Sequence, residues 1–171
     1  MPMSMASEQK MAPGSSRDLL LEAYWQATGM DAKSKMKGME PFTRILGFRF
    51  EVSSPTDQQS GHASGRRQYK PLVISKFTDQ STPLIFQALA KNSLLDECKI
   101  VYYQTKPDGS GTVKQGELTL KKCRVIHHEI QAGGPDARVV EEVAFTFDTI
   151  IIKDLPSTKE HEDSWTDAIH G

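Results

Sequence analysis

Apolar side chains recur at every second residue through most of this chain, and that period is the signature of half-buried β-strands. Leu46, Phe48, Phe50 and Val52 point one way, and Ile45, Gly47, Arg49 and Glu51 the other. Leu19, Leu21, Ala23 and Trp25 alternate with Leu20, Glu22 and Tyr24. A strand is expected from Gln68 to Phe77, and another carries Cys98, Ile100 and Tyr102 on one face. In the last run Val143, Phe145, Phe147 and Ile151 alternate with Glu142, Ala144, Thr146, Asp148 and Ile152. Leu118 and Leu120 share a face, but Cys123 and Val125 have the opposite parity. A bulge near Lys121-Lys122 is expected to bring all four inside.

A single segment breaks the period. Leu84, Ile85, Ala88 and Leu89 form a helical stripe. Pro83 suits its first position, Ser81 or Thr82 can cap it, and Lys91 and Asn92 close it. About six strands joined by hairpin turns, plus one helix, predict a mainly β fold. The expected architecture is an antiparallel β-barrel or two-sheet fold with one α-helix on the side. The absence of βα alternation argues against a parallel α/β sheet, and no internal repeat is visible.

The 171 residues are enough for one domain with a core of its own. Residues 1–17, rich in Met, Ser, Pro and Gly, read as a disordered lead; 18–154 form the β domain; 155–171 read as a flexible polar tail, with Trp165 and Ile169 as its bulky apolar residues. Two long polar connections, 26–41 and 53–67, interrupt the strands. A loop as long as the second is usually functional or disordered.

Lys and Arg number 21 against 22 Asp and Glu, a net charge of −1. That removes a bulk electrostatic case for nucleic acid or an anionic membrane as partner. No apolar run approaches the ~20 residues of a membrane span. Cys98 and Cys123 have no CxxC spacing and read as reduced, buried, small apolar residues. The N-terminal stretch lacks an apolar signal-peptide core, so export would have to use a route that ignores signal peptides.

The chemical motifs are sparse. In a strand His127 and His128 point to opposite faces; His127 and Glu129 share one, but two ligands are too few for a closed metal site, and the group reads as a surface pair. His161, Glu162, Asp163 and His170 fall in the expected tail. The glycines at 109–111 and 133–134 precede no helix and read as hairpin turns, and no GxSxG is present. Arg66-Arg67 with Tyr69 and Lys70 is the densest basic cluster, readable as a solvated loop end or a protein–protein contact. Catalytic, cofactor-binding and metal residues are all expected to be none.

The order of segments resembles the haemolysin-coregulated protein (Hcp) family, tube proteins of bacterial type VI secretion systems. Leu19 to Trp25 followed by Ile45-Leu46-Gly47-Phe48-Arg49-Phe50 looks like the family's first strands. Gly61 to Pro71, with Gly65-Arg66-Arg67 before Gln68-Tyr69-Lys70, resembles its extended loop. Ser81-Thr82-Pro83-Leu84-Ile85-Phe86-Gln87-Ala88-Leu89-Ala90 looks like its single helix, and Glu117 to Leu120 and Val143 to Ile150 like its late strands. The resemblance spans 18–154. It implies a non-enzymatic subunit without cofactor that forms homohexameric rings, which stack into a hollow tube and carry effectors. Implied partners are other copies, the sheath, spike and baseplate, and effectors, with no nucleic acid and no membrane insertion. The implied location is the bacterial cytoplasm and, after type VI export, the exterior. The loop would meet the next ring through Pro55, Gln58, Gly61, His62, Gly65, Arg66 and Arg67. The alternative is a monomeric ligand-binding barrel or a secreted effector.

Overall fold

A computed structural model describes residues 22–30, 41–135 and 137–165. The expected lead, the start of the first strand at 18–21, residues 31–40 of the long connection, Asp136, and Ile169 and His170 lie outside the described residues. The strands are β1 (Glu22–Ala27), β2 (Thr43–Ile45), β3 (Gly47–Arg49), β4 (Val52–Ser53), β5 (Gln68–Tyr69), β6 (Leu72–Phe77), β7 (Leu95–Thr105), β8 (Thr112–Ala132), β9 (Val139–Asp154) and β10 (Lys159–Ser164). The helix, α1, is Thr82–Ala90, between β6 and β7.

All pairings are antiparallel, and the main sheet runs β2-β1-β7-β8-β9-β6-β3. Its two ends are consecutive in the chain. β2 pairs with β1 and β3 with β6, and only Leu46 separates them. The strand expected from Ile45 to Val52 is therefore not one strand. At Leu46 the chain bends, its N–H bonds Ser75 O at 2.7 Å, and the inward parity changes. Ile45 is buried, Leu46 is 46% exposed, and Phe48 and Phe50 pack against the core. This crossing carries the chain over the seam of the sheet and nearly closes the barrel, which removes most free edges.

The interior is filled by side chains. Trp25 and Phe145 lie 5.9 Å apart, with Ile45, Leu72, Ile74, Ile85, Ile100 and Leu120 around them. Trp25 Nε1 donates to Cys98 Sγ at 2.9 Å. Both cysteines are buried and free, as their spacing suggested. Burial, with the Cys123 thiol beside it, pushes the Cys98 thiol well above its ordinary range.

Leu118, Leu120, Cys123 and Val125 are all buried, but not through a bulge at Lys121-Lys122. Lys122 takes a left-handed backbone, φ +52°, while the pairing register on both sides continues unchanged. The neighbouring strands slip with it: Leu95, Cys123 and Phe147 form one buried row, and Cys98, Leu120 and Ile150 the next. For this reason Ile150, not Ile151, faces the core. The true bulges leave Gln115 unpaired against β7 and Ile126 unpaired against β9.

The strand expected at 68–77 is broken at Pro71, whose ring nitrogen has no proton to donate to a ladder. The helix caps differently from expectation. Ser81 occupies the cap position without capping through its side chain; its hydroxyl donates to Asp79 Oδ1 at 2.5 Å instead. Residues 159–165 are not a tail. Lys159–Ser164 pair along Thr149–Asp154 as β10, and Trp165 packs on Tyr69 and Phe147.

Candidate functional site

The segment between β3 and β6 is a two-stranded arm rather than a loose loop. Its ladder runs from Val52–Tyr69 and Ser53–Gln68 to an isolated bridge at Thr56–Ala63. Asp57 N donates to His62 O and Gly61 N to Asp57 O, each at 2.8 Å. Gly61 sits at φ +73°, which a residue without Cβ adopts at no steric cost. The backbone N–H groups of Ser60 and Gln59 close on Asp57 Oδ1 and hold that carboxyl below its usual range. From Ser53 to Gln68 every arm residue is exposed except Pro55, which is half-buried.

The expected contact residues divide by position. Gln58, Gly61 and His62 lie at the tip; Pro55 and Gly65 face each other midway, a Cβ on Gly65 meeting the Pro55 ring at 3.6 Å. Arg66 and Arg67 lie at the base, on the side where Ser64 to Arg67 oppose only two residues, Ser54 and Pro55. Arg67 already has a partner within the subunit. Its Nε and Nη2 donate to Asp163 Oδ2 and Oδ1 at 2.8 and 3.0 Å. The Tyr69 hydroxyl donates to the same carboxylate. Burial would raise the Asp163 pKa, but hydrogen bonds from Tyr69, the Ser164 backbone and Arg67 outweigh it and hold the carboxyl low. Arg66 makes no ion pair among the described residues.

At the opposite setting, charges lie inside the barrel where helix α1 begins. The Lys76 ammonium reaches Asp79 Oδ1 at 2.8 Å, Glu141 Oε1 at 3.0 Å and Phe77 O at 3.2 Å. Thr82 Oγ1 donates to Glu141 Oε2 at 2.5 Å, and Thr43 Oγ1 to Asp79 Oδ2 at 2.6 Å. Burial favours neutral Asp79, yet the hydrogen bonds from Lys76, Ser81 and Thr43 hold its carboxyl below the usual range. His128 belongs to this cluster rather than to a surface pair. Its side chain is 4% exposed and its Nε2, without a hydrogen bond, lies 3.7 Å from Glu141 Oε2. The bulge at Ile126 explains this. It flips the parity after Val125, sending His128 inward and His127 with Glu129 outward.

On that outer face Glu142 stands directly across from Glu129, and donor atoms of His127, Glu129 and Glu142 lie within 4.8 Å of one another. The third group, the Glu142 carboxylate, comes from the neighbouring strand, which spacing along one strand cannot reveal. All three side chains are exposed. No helix among the described residues is long and apolar enough to cross a membrane.

The described residues thus form a nearly closed, side-chain-filled antiparallel β-barrel with an exposed two-stranded arm. The family described as "Type VI secretion system effector, Hcp" matches residues 24–153. The chain is 29% identical over 140 residues to the Major exported protein of Pseudomonas aeruginosa, covering 79% of this chain and 81% of that one. Its fold matches a crystal structure of an Hcp protein with TM-score 0.75 at 20% identity, over 84% of this chain and 98% of the other. The secreted protein Hcp3 from Pseudomonas aeruginosa matches with TM-score 0.70 at 23% identity, over 85% and 98%. This chain belongs to the Hcp family and is a tube subunit of a type VI secretion system.

Proposed function

We propose that the subunit acts as a non-catalytic building block, closing into six-membered rings that stack through the arm into a hollow, exported tube. The observation that carries this reading is the ordered, exposed arm at 53–68 standing off a barrel with few free edges. A ring needs head-to-tail contacts between different surfaces of identical subunits. A hairpin with its own backbone bonds presents such a surface at low ordering cost, because it is organised before contact. Gln58, Gly61 and His62 at the tip and Arg66 near the base are the residues assigned to the next ring. Sheath, spike and baseplate proteins and small effectors are the remaining partners. Export fits a tube component whose relative is named an exported protein.

Light scattering beside electron microscopy tests this. The chain should give the mass of six subunits, and deleting residues 56–63 should leave that mass while abolishing tubes. A wild-type mass of one or two chains at micromolar concentration overturns the ring. Tubes that survive the deletion overturn the arm contact, and a deletion that yields monomers places the arm at a lateral interface instead.

A further inference from the structure

We propose that Asp163, on the C-terminal strand β10, is the positioning residue that sets the direction of the arm. The arm is bonded within itself but not into the barrel sheet. β4 and β5 form a separate two-stranded sheet, and the β3–β6 ladder ends at Arg49–Val73. The arm's own pairing resumes only with Lys70 N donating to Glu51 O at 3.1 Å, in a register shifted by one residue. Phe50 and Pro71 lie between the two ladders, and Pro71 cannot donate a bond across the break. Two short chain segments without ladder bonds would allow the arm to swing.

What holds it is side-chain chemistry converging on one carboxylate. The Arg67 guanidinium grips Asp163 with two parallel hydrogen bonds, a geometry that fixes angle as well as distance. The Tyr69 hydroxyl takes the same group, and the Tyr69 ring sits 5.7 Å from Phe147 and 5.8 Å from Trp165. Arg67 and Tyr69 belong to the returning strand of the arm; Asp163 and Trp165 belong to the C-terminal segment. Among the described residues β10 is itself an edge strand that pairs only with the end of β9. The C-terminal segment therefore acts as a strap, docked on the barrel, that clamps the arm base. The clamp stands on these contacts alone; its consequence for tubes rests on the arm being the stacking surface, as proposed above.

The experiment measures arm direction without relying on tubes. Nitroxide labels at Gln59→Cys on the arm and Lys121→Cys on the barrel give a distance distribution by pulsed electron resonance. Cys98 and Cys123 are buried and stay unlabelled, and unlabelled chain is added to remove distances between subunits. The parent protein should give one narrow distribution. Asp163→Ala, and the isosteric Asp163→Asn, should widen it roughly twofold, as expected for a segment freed from its packing. Arg67→Ala should widen it likewise, and Arg67→Ala with Asp163→Ala should widen it no further than either alone. An unchanged width in Asp163→Ala and Asp163→Asn, with thermal melting showing the barrel intact, overturns the clamp. If the arm loosens while tubes form as before, the clamp stands and the stacking role of the arm fails.

Discussion

Lys76 meets Glu141 with both side chains fully buried, whereas Arg67 meets Asp163 with side chains 47% and 24% exposed. The chemistry is the same, a cation on a carboxylate, but the settings give it different work. Inside the barrel the charges have lost their water, so each depends on the other and on Asp79, Thr82 and Phe77 O. At the arm base water competes for both groups, and the gain to global stability is small. What remains is geometry: a fork fitted to a carboxylate that fixes where a surface segment points.

The largest effect that separates the two regions is on stability. Glu141→Ala leaves the Lys76 ammonium buried beside one remaining carboxylate and should cost about 3–5 kcal/mol in urea unfolding. Arg67→Ala should leave the unfolding midpoint unchanged within error. Equal losses in the two variants would break the distinction. Gly116→Ala comes next. Its new Cβ would sit 2.2 Å from the Tyr102 hydroxyl, whose ring covers this glycine. Tyr102 must move, at about 1–3 kcal/mol, read as a lowered melting temperature. Of similar size is Cys98→Ser with Cys123→Ser, which should lose about 1–3 kcal/mol through buried hydroxyls while rings still form. Loss of rings with folding intact would point to a thiol role between subunits.

The smallest effect sharpens the comparison by pH. Asp79 in the barrel and Asp163 at the clamp both have carboxyls held low in the folded state. The folded protein therefore binds fewer protons at these sites than the unfolded chain. Their contribution is complete above the ordinary carboxylate range and is lost as pH falls from about 4 toward the lower folded values. Urea midpoints should fall over that window. Asp163→Asn should alter the fall little, and Asp79→Asn should flatten it. The reverse order would place the acid-sensitive stability at the clamp.

Much of the barrel was legible along the chain. The alternation around Phe145, the helix at Pro83 and the hairpin glycines are local signals, and each marks an element that is present. The buried cluster was also half-written. Lys76 shares parity with Leu72 and Ile74, and Glu141 with Val143 and Phe145, so each charge sat on a core face, and the β6–β9 pairing sets them opposite each other. The arm was visible as a long polar stretch, but its anchor was not. Asp163 reads as one acid in a polar tail until β9 offers β10 an edge to pair with.

By itself, the sequence determined that this is a mainly β chain of the Hcp type with a helix after Pro83, because strand faces and helix starts depend on near neighbours. The tertiary structure decided where those faces turn over. The bend at Leu46, the left-handed Lys122 with its slip across three strands, and the bulge at Ile126 each reverse which side is inside. A period of two has no memory beyond such a point, so one irregular residue inverts every later assignment. Whether an irregularity occurs depends on which strands lie alongside, and that is settled only when distant segments meet.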